Sequence, residues 1–103
     1  MRFRMSTKAN VMINEKEYFI GIDGYPGLVI PNLKELVKDA KQFAENHNFN
    51  FKRALKILSD ENTGQYNLFS GHGHGFAEFE YLIGPRGGVY WRKYNAISWR
   101  TQK

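Results

Sequence analysis

The chain has 103 residues, of which 42% are hydrophobic and 16% aromatic, and this bounds it to one domain with a small core. It contains no Cys, which excludes a disulfide scaffold, a thiolate metal site and a Cys nucleophile. The formal net charge of +5 excludes an acidic, DNA-mimicking surface and favours an anionic partner such as a nucleotide or nucleic acid.

No apolar run reaches the ~18 residues needed to cross a bilayer, so no membrane segment is expected. Met1-Arg-Phe-Arg-Met5 is charged, with no apolar stretch behind it, which predicts no signal peptide and a cytoplasmic location. Ala9, Val11 and Ile13 alternate, as do Tyr18, Ile20 and Ile22, on either side of Asn14-Glu15-Lys16. Two period-two runs around a polar turn predict a β-hairpin over 9–13 and 17–22.

Asp23-Gly24 is a turn signal, since Gly takes positive φ freely and Asp bonds its own backbone. Pro26 biases Tyr25 toward an extended conformation and holds its ring at the rim of the turn, where it can meet a ligand. A helix is then expected, with Leu33, Leu36, Val37, Ala40, Phe43, Ala44 and His47 on one stripe. Pro31 is expected at or just before its first turn, and Asn32 with Glu35 forms a variant of the capping box. Asn46-His47-Asn48 ends it.

Phe51, Ala54, Leu55 and Leu58 predict a second, shorter helix with Lys52, Arg53 and Lys56 on its wet face. Residues 59–65 are expected as a loop, 66–69 as a short strand and 70–75 as a flexible Gly-rich connection. Ala77, Phe79, Tyr81 and Ile83 alternate with Glu78 and Glu80 as a half-buried strand. Gly84 to Gly88 is a turn, Val89 to Tyr94 the returning strand, and Ile97 with Trp99 an extension past a bulge. The order β-β-α-α-β-β predicts a two-layer α+β domain, an antiparallel sheet packed on one long and one short helix.

Three segments carry candidate chemistry. Gly71-His72-Gly73-His74-Gly75 places two His at i and i+2, on one face if the backbone is extended, with glycines that admit a ligand close to the chain. Two His do not complete a metal site, and no spacing selects a third ligand from Asp23, His47 or Glu78, so neither metal nor cofactor is expected. Tyr90-Trp-Arg-Lys-Tyr94 interleaves aromatic and basic residues. If Trp91 is core, Tyr90, Arg92 and Tyr94 form an exposed strip for stacking and phosphate contact; if Tyr90 and Tyr94 are core, Trp91 and Lys93 are exposed. Both arrangements remain open, as does an edge strand guarded by charge. Arg86, in the preceding turn, adds a further cation, and no acidic residue follows Glu80.

Ser6-Thr-Lys-Ala-Asn10, a hairpin, Asp23-Gly-Tyr-Pro26 and then Pro31-x-Leu33 resemble a group of small uncharacterised proteins of phages, prophages and other mobile elements. In that group a strand often runs into Trp-Asp-Gly-Tyr-Pro before a helix; here Ile22 replaces the aromatic residue and Gly21 the frequent preceding His. The resemblance covers the first third of the chain and implies an accessory protein of a mobile element. Three functional expectations follow. The first is a non-catalytic protein binding a nucleotide or nucleic acid through Tyr25, Arg86, Tyr90, Arg92, Lys93 and Tyr94, with His72 and His74 beside them. The second is a protein-binding inhibitor or interaction module acting on a host factor, or a homo-oligomer, presenting Phe49, Tyr66, Phe69 and Trp99. The third is a phosphodiesterase using His72 and His74.

Overall fold

The computed structural model describes residues 8–20, 24–61, 66, 68–70, 77–93 and 99–101. Strands β1 (Ala9–Ile13) and β2 (Lys16–Ile20) are followed by helices α1 (Pro26–His47) and α2 (Phe51–Glu61), then by β3 (Phe69–Ser70), β4 (Phe79–Ile83), β5 (Val89–Lys93) and β6 (Arg100–Thr101). The sheet order is β3-β2-β1-β4-β5-β6, with four five-residue strands in the middle and a two-residue strand at each edge. The α+β class and the element order agree with the sequence. The sheet is mixed rather than wholly antiparallel, because β1 pairs parallel to β4, Ala9 opposite Phe79 and Ile13 opposite Ile83. Both helices lie in the connection between the hairpin and the second half of the sheet, and such a crossover delivers β4 in the same direction as β1.

The hairpin closes through Asn14 and Glu15, at φ 53° and 68°. Two successive positive φ values give the turn the twist that matches its strands, and Asn is one of the few side chains that accepts this backbone well. Glu15 is strained there. Across the sheet, Gly84 to Gly88 makes the other tight turn, with Gly87 N–H donating to Gly84 O at 3.0 Å and Gly84 N–H to Gly88 O at 2.8 Å. Gly87 sits at φ +92° and so close to α1 that a Cβ would lie 2.8 Å from Val37 Cγ1. Only Gly satisfies both demands.

The long helix starts earlier than the sequence pattern indicates. Pro26 is its first residue, Tyr25 is the extended N-cap (φ −72°, ψ 147°), and Leu28 and Val29 donate their N–H groups to Tyr25 O. Pro31 therefore lies inside α1, and Asn32 caps nothing. Without an N–H, Pro31 cannot bond the carbonyl of Gly27, but both residues are exposed, so water can reach that oxygen. At the other end Asn48 adopts the left-handed conformation and Phe49 N–H returns to Ala44 O. Asn50 Oδ1 accepts the Arg53 N–H at 2.8 Å and so caps α2.

Alternation within the strands assigns the core. Ala9, Val11, Ile13, Tyr18, Ile20, Phe79, Tyr81, Ile83 and Val89 point to the helical layer and meet Val29, Ile30, Leu33, Leu36, Ala54, Leu55 and Leu58. Leu68 and Tyr66 complete this core, so Tyr66 is a buried residue and not an exposed aromatic. Polar ties fix the layers. Tyr81 OH donates to Gly24 O at 2.6 Å and Tyr66 OH to Asp39 Oδ2 at 2.6 Å. Burial pushes the phenols of Tyr18, Tyr66 and Tyr81 above their ordinary range, and the carboxylates of Asp60 and Asp39 reinforce the shift at Tyr18 and Tyr66.

Asp60 joins the hairpin to α2. It accepts from Lys16 Nζ at 2.8 Å, Tyr18 OH at 2.5 Å and Lys56 Nζ at 3.1 Å. Its partial burial alone would raise the carboxyl's pKa, but these three donors outweigh burial and hold it down at about 2. A depressed native pKa contributes stability above the unfolded value near 4, and that contribution is lost as pH falls from about 4 toward 2. Asp60→Asn should lower stability at pH 7 by about 1–3 kcal/mol, and its deficit relative to the parent chain should shrink between pH 4 and pH 2.5 in urea titrations. A pH-independent deficit would contradict the ion-paired role. Glu15→Gly relieves the strained hairpin position and should raise Tm by a few degrees, about 0.5–1 kcal/mol, in a thermal melt.

Candidate interaction face

The same alternation that builds the core sends Asn10, Met12, Glu17, Phe19, Glu80, Leu82, Tyr90 and Arg92 to the opposite side of the sheet. Neither α1 nor α2 lies on that side, so the second face of the sheet stays open among the described residues. Three large apolar side chains are exposed across it: Met12 in the middle (37% exposed), Phe69 at the β3 edge (46%) and Trp99 at the β6 edge (36%). Phe69 pairs with Phe19 at a ring-centroid distance of 5.6 Å. A shallow groove of about 140 Å³ runs between Asn10, Met12, Glu80, Leu82, Arg92 and Trp99.

The described strands bring Glu17, Glu80 and Arg92 to this face, and Glu80 pairs with Arg92. Arg92 Nε donates to Glu80 Oε1 at 2.7 Å, directly across the β4–β5 ladder, and its guanidinium lies 4.2 Å from the Trp99 ring centroid. Arg92 is the one cation of the described strands that points this way. A cross-strand carboxylate on one side and an indole on the other hold it in place. The Tyr90 ring lies over the β4–β5 turn, and a Cβ on Gly88 would come within 3.0 Å of its hydroxyl. Trp91 is on the helical side, partly buried against the core, with its ring 6.1 Å from Phe79 and Arg100 5.4 Å above it. Of the two arrangements left open by the sequence, the structure shows the one with Trp91 against the core.

Among the described residues, those singled out from the sequence do not converge. Tyr25 is exposed at the start of α1, its ring 5.8 Å from Phe79 at one end of β4. Arg86 is exposed in the turn beyond Ile83 at the other end, about 13 Å away at 3.3 Å per residue along the strand. Lys93 is exposed at the end of β5 on the helical side, opposite Phe79. Tyr90 and Arg92 share the open face, but Arg92 is already engaged. His72, His74, Tyr94 and the Asp23 turn lie outside the described residues. Among the described residues no group of three His, Cys, Asp or Glu is placed to hold a metal ion, and no helix is long and apolar enough to cross a membrane.

Sequence reasoning missed Met12 and Phe19 on this face. Their signal was present: each alternates with residues assigned to the core, and an uncovered second face exposes the complement of the core set. Phe49, expected as a free aromatic, is half-buried in a group with Phe43 and His47, with Arg53 4.2 Å from its ring centroid. No protein-family model, curated protein or solved structure matches the chain.

The Glu80–Arg92–Trp99 arrangement makes a direct prediction. In a Trp91→Phe background, Arg92→Leu should shift Trp99 emission to the red and increase its quenching by acrylamide. It should cost about 0.5–1 kcal/mol, since each partner remains partly exposed. Unchanged quenching would show that Arg92 does not shield the indole.

Proposed function

We propose that this chain is a non-catalytic interaction module that docks a partner protein on the open face of its sheet. The observation that carries the proposal is the exposure of Met12, Phe69 and Trp99 on one face whose described strand cation is already paired. Large aromatic and Met side chains are enriched in protein interfaces, and here they are interspersed with Glu17, Glu80 and Arg92. Phe69 and Trp99 stand at opposite edges of the sheet with Met12 between them, so a partner covering the whole face would bury all three. The resemblance to mobile-element proteins supports a host factor as that partner.

The arrangement disfavours this same face as the phosphate-binding strip expected from the sequence. A phosphate at Arg92 would sit beside the Glu80 carboxylate that already holds Arg92 Nε at 2.7 Å, and the two anions would repel.

Replacing Met12 with a photo-crosslinking amino acid in the producing cell tests the proposal. Irradiation should give one discrete adduct to another protein, while the same group at Lys38 on the helical layer should not give that adduct, and an adduct to a second copy alone overturns the host-factor reading. The additional substitutions Phe69→Asp and Trp99→Asp should abolish the adduct without unfolding the domain. Irradiation that yields no discrete adduct at position 12, or the same adduct at both positions, overturns the proposal.

A further inference from the structure

Part of the positive charge of this molecule lies around the β4–β5 turn, away from Phe69 and Trp99. The ion pairs of the described residues use Lys16, Lys56 and Arg92. Nine exposed cations of the described residues take part in none of them, among them Lys34, Lys38, Lys41, Lys52 and Arg86. Three of these nine gather around the β4–β5 turn. Arg86 is carried by the turn itself. A Cβ on the adjacent Gly87 would lie 3.4 Å from Lys41 Cε and 3.5 Å from Phe51 Cζ, so the Lys41 stem runs along one flank of the turn. Lys52 lines a groove with Gly84, Pro85, Asn14 and Glu15 that reaches Met12 and Leu82 at the edge of the open face.

We infer that this cationic end of the molecule binds the phosphate backbone of a nucleic acid. Three different elements (α1, α2 and the turn) each deliver one cation to the same place, and the turn is rigid, closed by two backbone hydrogen bonds and packed on Val37. Lys34, Lys38 and Lys41 share one stripe of α1 and continue the row for about 10 Å at 1.5 Å per residue. Glu15 lines the same groove as Lys52, and Glu45 lies one helical turn beyond Lys41; neither makes an ion pair with them.

A second observation points the same way. The first turn of α2 contains Lys52 and Arg53 and no acidic residue. Cations at the positive end of a helix dipole are unfavourable, and among the described residues Lys52 is in no ion pair that offsets this. A bound anion would reverse the sign of that interaction. An extended row of solvated cations, with no enclosed pocket, suits a ligand with repeated charges rather than a single phosphate group stripped of water.

The test is fluorescence anisotropy with fluorescein-labelled oligothymidine of 16 nucleotides and a 16-base-pair duplex, from 50 to 200 mM NaCl. Three phosphate contacts give a slope of log K against log salt of about −2 for the single strand and about −2.7 for the duplex. Lys52→Glu with Arg86→Glu should weaken binding at least tenfold at 50 mM salt and flatten the slope. An equal charge reversal away from the turn, Lys8→Glu with Arg100→Glu, should change affinity by less than threefold. Circular dichroism melts of each variant separate loss of binding from loss of fold. Absence of binding to both oligonucleotides at 50 mM salt, equal loss in the two reversal variants, or binding to phosphatidylserine vesicles without binding to either oligonucleotide overturns the inference. Met12 lines the same groove as Lys52, so the two readings are told apart by Phe69→Asp with Trp99→Asp, which should abolish the adduct and leave oligonucleotide affinity within threefold.

Discussion

A strand shows its side chains alternately to two faces, and in this chain only one face of the sheet is covered by α1 and α2. The rest of the structure follows from that asymmetry. Every apolar residue in phase with Val11 or Tyr81 enters the core, and every residue out of phase is left on a surface. The interleaved aromatic and basic residues of β5 are therefore sorted. Trp91 goes to the helices, and Tyr90 and Arg92 to the open side. A segment that reads in one dimension as a mixed stacking and phosphate-binding motif becomes two chemically different surfaces.

The helical layer is held by a few polar ties as well as by apolar contact. Asp60 joins Lys16 and Tyr18 of the hairpin to Lys56 of α2, Asn14 Nδ2 donates to Lys52 O, and Tyr81 anchors the backbone in front of α1 through Gly24 O. The bonds of Lys16 and Tyr18 to Asp60 and of Asn14 to Lys52 cross from the hairpin to α2 and remove a sliding degree of freedom that apolar contacts leave soft. Gly87 acts in the same way by sterics, since its missing side chain lets the β4–β5 turn seat on α1. The cations around that turn inherit their positions from this seating.

Much of the fold was legible in the sequence, because periodicity is a local property. The hairpin, both helical stripes and the β4–β5 pair can be read from the spacing of Val11, Tyr18, Leu33, Leu55, Phe79 and Tyr81. The start of α1 was misplaced because Pro26 and Pro31 both fit a first turn, and the choice rests on Tyr25 O accepting the first helical N–H groups, which no pattern records. The parallel β1–β4 pairing was missed because strand direction depends on the path of the intervening helices. Site residues were the least legible. Arg92 looked available in sequence, and its capture by Glu80 requires knowing the register that sets the two opposite each other. The gathering of Lys41, Lys52 and Arg86 around one turn joins residues from three elements, and sequence distance hides it.

The parallel β1–β4 pair also dictates the order of assembly. Hairpin, helices and the β4–β5 turn are closed by near neighbours in the chain and form on microsecond scales. The centre of the sheet brings Ala9 against Phe79, and the entropy of closing that long loop is met only when β4 arrives. During synthesis the N-terminal hairpin and both helices emerge while one edge of β1 still has unpaired N–H and C=O groups along Ala9–Ile13. The final third of the chain thus completes the sheet and also ends the interval in which that edge can pair with another molecule.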